Sequence, residues 1–199
     1  MNVAVLTVDQ RASRRNRDLV PETLNALAAL PAMLPFERTA GDEIQGVFTD
    51  PQAVVDCLEL LVRAGTWNIG LGIGTIDEPV PDHARAGSGP AYVHAREAVT
   101  SSKLAPARLR VVGSDDYRAD QLETVLWLWA ELLVRRSVRG WEVADLIGAG
   151  HSHAEAGAKL GISQSAVSQR ARAASVVEAG RAAKLAVQLL DAALTEGDA

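Results

Sequence analysis

Aromatic residues make up only 4% of this 199-residue chain, and cysteine occurs once, at Cys57. One thiol builds neither a disulfide framework nor a zinc cluster within a chain. Set in a helical apolar stripe, it reads as a small core residue. No apolar run approaches the roughly 18 residues that span a bilayer. The start, MNVAVLTVDQ, lacks the basic residues and apolar stretch of a signal peptide. A cytoplasmic protein without a membrane partner is expected. Positive charge is also short: the formal net charge is −5, so DNA binding would need a local basic patch. There is no G-x-S-x-G, no Walker loop and no G-x-G-x-x-G between a strand and a helix. GLGIG lies inside a strand, the wrong context for a phosphate loop. The four histidines show no paired ligand spacing on a face with acids; His151-x-His153 reads as cap and surface.

What is present is an ordinary folded-protein composition, 48% hydrophobic and 23% charged. It is enough for one large domain or two small ones. Asn2 to Val8 is a β-branched run, read as a buried strand. A polar loop, DQRASRRNRD, leads into a helix from about Asn16 to Leu30, ended by Pro31 and Pro35. A strand at Phe36 to Thr39, the tip AGDE and a strand at Ile44 to Phe48 form a hairpin. Asp50-Pro51 opens a second helix, closed by Gly65. WNIGLGIGTI alternates strictly, with Gly70, Gly72 and Gly74 on one face. Three glycines on one face of a strand imply close approach by a packed helix or by a ligand. Glu78 to Gly89 reads as a loop, GPAYVHAREAVTSSK as a helix and LRVVG as a strand. The order β-α-β-β-α-β-α-β predicts a ferredoxin-like α+β core with an additional helix and strand.

Beyond Gly113 only helices are expected, starting with a long one at Ala119 to Ser137. This divides the chain into an α+β domain over 1–115 and an all-α domain over 116–199. In the second, Leu160-Gly161-Ile162-Ser163 is a joint between helices. Gly161 suits a positive φ, Ile162 a core plug and Ser163 a helix cap. Val167 and Ala171 then face inward. Gln164, Ser165, Ser168, Gln169, Arg170 and Arg172 are the residues expected to meet base edges or phosphates of double-stranded DNA. With the preceding helix WEVADLIGAG, the span of about 141–175 resembles the helix-turn-helix of bacterial transcription regulators and sigma-factor-like DNA readers. Gly157 departs from it, standing where the tight crossing usually has Ala. Arg170, Arg172, Arg181 and Lys184 supply a modest basic patch, which favours binding as a homodimer. A helical adaptor of the same shape is the competing reading. The apolar terminal helix, Val176 to Leu194, needs a cover, from the long helix or from another subunit.

The acidic tip at Asp42 and Glu43 gains meaning from this pattern. A ferredoxin-like sheet sets the first strand beside the hairpin, so Asp9 and Asp42 meet at one edge. Two carboxylates with open positions suit Mg²⁺ together with substrate phosphates. The plainer alternative has Asp42 and Glu43 polarising a turn, and Asp9 capping the first helix or pairing with Arg14.

The segments VDQRASR, TAGDEIQG, IGLGIGTI and SGPAYVHAREA carry a resemblance. From Met1 to about Gly113 the chain looks like the SatD family, and it is similar to the catalytic domain of diguanylate cyclases within the nucleotide cyclase fold. AGDEI stands where those enzymes have their Gly-Gly-Asp/Glu-Glu-Phe hairpin. The resemblance implies Asp9 and Asp42 as metal ligands, Gly41 as the point where backbone approaches a nucleotide, and Glu43 as an acidic neighbour. The departures are Asp9-Gln10-Arg11 in place of Asp-x-Asp, Ala40 in place of the first Gly, and a first loop without the Phe-Lys and Asn-Asp pairs. That loop carries Arg11, Arg14, Arg15 and Arg17 instead, a cluster that suits phosphates or simply a solvated face. The leading expectation is a DNA-binding transcriptional regulator with a cyclase-like sensory or dimerisation domain and a degenerate catalytic site. The alternatives are a Mg²⁺-dependent nucleotide-processing enzyme with a helical assembly domain, and a scaffold.

Overall fold

Val3 to Val8 of the first strand, β1 (Asn2–Gln10), are all buried, so this strand is covered on both faces. The computed structural model describes residues 1–195. It is an α+β protein in which a mixed sheet of five strands is packed with helices, in the order β2-β3-β1-β4-β5. β2 (Leu34–Arg38) and β3 (Glu43–Phe48) form the hairpin, and β3 and β4 (Trp67–Thr75) both pair antiparallel with β1. β5 (Leu109–Gly113) adds in parallel to β4. The first helix, α1 (Val20–Leu27), starts later than expected. The Gln10 side chain causes this by clamping the preceding loop: its Nε2 donates to Arg17 O and its Oε1 accepts from Leu19 N. That loop is thereby kept out of the helix.

The face of β4 that carries Gly70, Gly72 and Gly74 is covered by α3 (Pro90–Ser102). A Cβ on Gly70 would lie 2.2 Å from Val99 N, and one on Gly72 2.2 Å from Ala95 N. The glycine row thus serves a packed helix, whose facing residues Ala91, Ala95 and Ala98 are small and buried. Against the other face lie α2 (Pro51–Ala64), α4 (Asp116–Val134) and α8 (Val176–Thr195). α4 also covers the exposed edge of β5. Glu123 accepts from Val111 N at 2.7 Å, and four residues on, Trp127 Nε1 donates to Leu109 O at 2.7 Å. An edge strand leaves such groups unpaired, and one helix face satisfies both.

The core divides the chain differently from the expected boundary at 115/116. Leu122, Leu126, Trp129 and Leu133 of α4 and Ala186, Leu190 and Leu194 of α8 belong to the same apolar cluster as the sheet and α2. A separate small cluster is built from α5 (Val138–Gly148), α6 (His153–Leu160) and α7 (Gln164–Ala173), through Val143, Ala156, Val167 and Ala171, with Val176 of α8 packed against it, while Trp141 and Ala144 of α5 join the large cluster. A long helix after a strand looks like the start of a new domain, but the broad apolar face of α4 finds its partner in the sheet it has just left. The cover of α8 comes from α4 and α2 of its own chain.

Candidate ligand cavity and nucleic-acid interface

Antiparallel register places Asp9 opposite Glu43 on β3 and opposite Asn68 on β4. Side chains directly opposite one another share a sheet face, so these three form a polar row on the α3 side. The row then splits. Glu43 is buried; Arg96 of α3 holds both its oxygens, and Thr39 Oγ1 donates to it at 2.6 Å. Glu43, expected to bind ligand, is thus engaged by Arg96 and Thr39 in this structure. It is a neighbour of the site in the backbone but lies outside the cavity lining, as does Gly41. Gly41 instead turns the hairpin, with φ 57°, and its carbonyl accepts from Arg38 at 2.8 Å.

Asp9, Asp42, Arg11 and Arg14 do come together. They line one open cavity of about 680 Å³ beside the loop that follows β1. Lys103, Arg108, Asn68 and Arg15 line it too. Lys103 and Arg108 lie nearly 100 residues from Asp9 in the chain. Their only signal in the sequence was that α3 ends, and β5 begins, at the same end of the sheet as the β1 loop.

The Asp9 carboxylate has partners other than those expected. Lys103 Nζ lies 3.4 Å from its Oδ2, and Asn68 Nδ2 donates to it at 3.2 Å. It neither caps α1, whose first turn is served by Asp18, nor pairs with Arg14. Arg11 Nη1 donates to Gly65 O at 2.8 Å, and its backbone N–H to Thr66 O, which fastens the basic loop to the end of α2. The Mg²⁺ site implied by the cyclase resemblance fits poorly here. Asp9 already faces an ammonium, and a divalent ion at that carboxylate would have to displace it.

In the helical unit, α6 opens with a reciprocal cap between Ser152 and Glu155, and those hydrogen bonds hold the Glu155 carboxyl below the usual range. It closes at Gly161, φ 65°. Ser163 then caps α7 through Ala166 N, while Ile162 N donates back to Gly157 O at 3.0 Å. A Cβ on Gly157 would lie 2.8 Å from Ile162 O, which accounts for glycine where the helices cross. Of the six expected DNA-facing residues, Gln164, Ser165, Gln169 and Arg172 are exposed. Ser168 is half-buried, bonded by its hydroxyl to His153 Nδ1 at 2.9 Å. Arg170 is likewise half-buried and leans toward Glu142 of α5, 3.9 Å away. Helical periodicity gives a direction for each side chain but not the neighbour that captures it.

Two arginines join the helical unit to the rest of the chain. Arg63, near the end of α2, makes two hydrogen bonds to the Asp145 carboxylate, at 2.8 and 2.9 Å. Its guanidinium and that of Arg136 stack on Trp141 at 4.3 and 4.5 Å. Arg136 Nε also donates to Ala174 O at the end of α7. Glu59, on α2, is pushed above the usual carboxyl range by burial, an effect that Arg136 partly offsets. Among the described residues, no helix is long and apolar enough to cross a membrane. Compared with known proteins, the chain matches no family model, no curated protein and no solved structure.

Proposed function

We propose that this chain is a DNA-binding transcriptional regulator whose α5–α7 unit is a helix-turn-helix. The carrying observation is the α6–α7 joint. Gly161 is in the left-handed conformation, Ser163 is an engaged cap, and Val167 and Ala171 are turned into a small core between the helices, leaving Gln164, Ser165, Gln169 and Arg172 outward on α7. Amides and a guanidinium on one exposed helix are the groups that read base edges in the major groove. Lys159, Arg172, Arg181 and Lys184, all exposed, add cations around it. Ser168 and Arg170 support the geometry of the unit instead of contacting DNA.

The antiparallel strand order β2-β3-β1-β4 supports reading the first part as a ferredoxin-like, cyclase-type module. The SatD-like resemblance belongs to the same reading. In it the module is a sensor or dimerisation scaffold, and its state reaches the reader along a continuous chain of contacts. Arg11 holds the end of α2, and Arg63 of α2 holds Asp145 and Trp141 of α5. Since α8 is covered within the chain, a homodimer would use another face. The test is selection of bound sequences from random duplex DNA by the purified protein at two salt concentrations. A short consensus, two-fold symmetric for a dimer and lost in Arg172→Ala, is expected. Weak, sequence-blind binding abolished by salt would overturn the reading.

A second reading, a Mg²⁺-dependent nucleotide-processing enzyme with a helical assembly part, draws on Asp9 and Asp42 lining one cavity. It requires Asp9 to release Lys103. It predicts a turnover that Asp9→Asn or Asp42→Asn abolishes.

A further inference from the structure

We propose that the cavity beside β1 binds a phosphorylated small molecule without a divalent cation, with the Lys103 ammonium standing at Asp9 where a metal ion would stand. This goes beyond DNA recognition and does not depend on it. The first argument is charge. Five cations, Arg11, Arg14, Arg15, Lys103 and Arg108, line the cavity against two carboxylates, Asp9 and Asp42. A concave basic wall concentrates anions, and guanidinium groups match phosphate oxygens two at a time. Arg11 and Arg108 are tied to backbone carbonyls, of Gly65 and Lys103 respectively, and fix the two loops. Arg14 and Arg15 are exposed and, among the described residues, make no ion pair. The volume, about 680 Å³, suits a nucleotide-sized ligand.

The second argument is an orphaned atom. Asn68 is only 5% exposed and lines the cavity, and its Oδ1 has no hydrogen-bond partner among the described residues. Its Nδ2 must face Asp9, because an ionised carboxylate only accepts, so the amide cannot turn to hide the oxygen. A ligand with a hydroxyl or amine donor next to its phosphates satisfies that acceptor. The third argument is backbone strain. Ala12 and Arg108, both in the cavity lining, and Ala107 beside it have φ of 51°, 55° and 51°. Non-glycine residues persist in that region only where the surroundings hold them, and such positions gather at ligand clamps.

The metal-free part follows from Lys103. At 3.4 Å it neutralises Asp9 already, and it is exposed on its other side, so one ammonium can bridge the carboxylate and an incoming phosphate. The test is isothermal titration of the full chain with inorganic triphosphate, and in parallel with ATP, in EDTA and in excess Mg²⁺. Binding of either probe in EDTA is expected, with Arg14→Ala/Arg15→Ala weakening it at least tenfold and Lys103→Met abolishing it. These side chains are exposed, so the variants should fold, and thermal melts verify that. Failure of both probes to bind, binding that needs Mg²⁺, or equal binding by the double-arginine variant would each overturn the proposal.

Discussion

Around the cavity, Arg14, Arg15 and Lys103 hang from loops over a concave surface floored by Asp9 and Asn68; on α7, Gln164, Gln169 and Arg172 project from a convex helix. Cationic and amide side chains thus make two unlike surfaces. Converging cations suit a small anion that they can surround. Diverging amides and cations suit a long groove that surrounds them. Glycine divides in the same way. On β4 it lets a helix backbone lie against a strand; at Gly161 it lets the chain turn between two helices. The two regions also differ in how they are held. The sheet region has the large apolar cluster, while the α5–α7 unit has a small one and leans on the rest through Arg63, Arg136 and α8.

The severest break in this comparison is Gly72→Val. Its Cβ would sit 2.2 Å from Ala95 N and 2.3 Å from Ala91 O, and neither backbone atom can move without lifting α3 off the sheet. A loss of about 3 kcal/mol or more is expected by chemical denaturation. A variant of wild-type stability would mean that α3 does not pack on β4 as described.

Next in size are the outward residues of α7. Arg172→Ala and Gln169→Ala should each weaken specific DNA binding by about 1–3 kcal/mol. Ser168→Ala should change it by no more than about threefold, since the Ser168 hydroxyl is engaged with His153. Fluorescence anisotropy on the selected consensus measures all three. Equal losses for Ser168 and Gln169 would erase the distinction drawn between captured and free side chains. Smaller again is Arg63→Ala, which removes a half-exposed bridge to Asp145 and one stacking partner of Trp141. About 1 kcal/mol is expected. It should appear as faster hydrogen exchange in α5–α7 with β1 and β4 unchanged.

Periodicity and punctuation in the sequence were enough for the strands, the hairpin, the α6–α7 joint and the residues flanking the β1 loop. They carried the α+β class because each signal is local: alternation in β4, Gly161 with Ser163, Pro51 after Asp50. Three things were not legible. Gln10 delays α1 through side-chain bonds to residues 17 and 19, which no propensity anticipates. Glu43 shares a sheet face with Asp9 yet is claimed by Arg96, over 50 residues further on. Lys103 reaches Asp9 from the end of α3, a helix that the β4 glycines let lie close against the sheet. In each case a long-range partner decides the role of a side chain that the sequence only nominates.

The finest contrast between the regions is in their response to acid. Burial raises the Glu123 carboxyl above its ordinary 4.5, against the pull of the Val111 N–H and Arg110. Just above that value the unfolded chain has released the proton while the native state keeps it. Stability contributed at α4–β5 is therefore present at low pH and declines as pH rises through the native pKa. Glu155 runs the other way. Its bonds with Ser152 lower its pKa, so the cap of α6 is intact above the ordinary value and is lost as pH falls through the native one. Lowering the pH through this range should loosen the start of α6 while leaving the α4–β5 contact as firm or firmer. Hydrogen exchange resolved by residue, with Val111 N–H and the first turn of α6 as reporters, measures both. Glu123→Gln keeps an acceptor for Val111 and should flatten the first response without touching the second. If both reporters respond alike in wild type and variant, the proton sits elsewhere, and the opposition between a buried acid and an exposed capping acid fails.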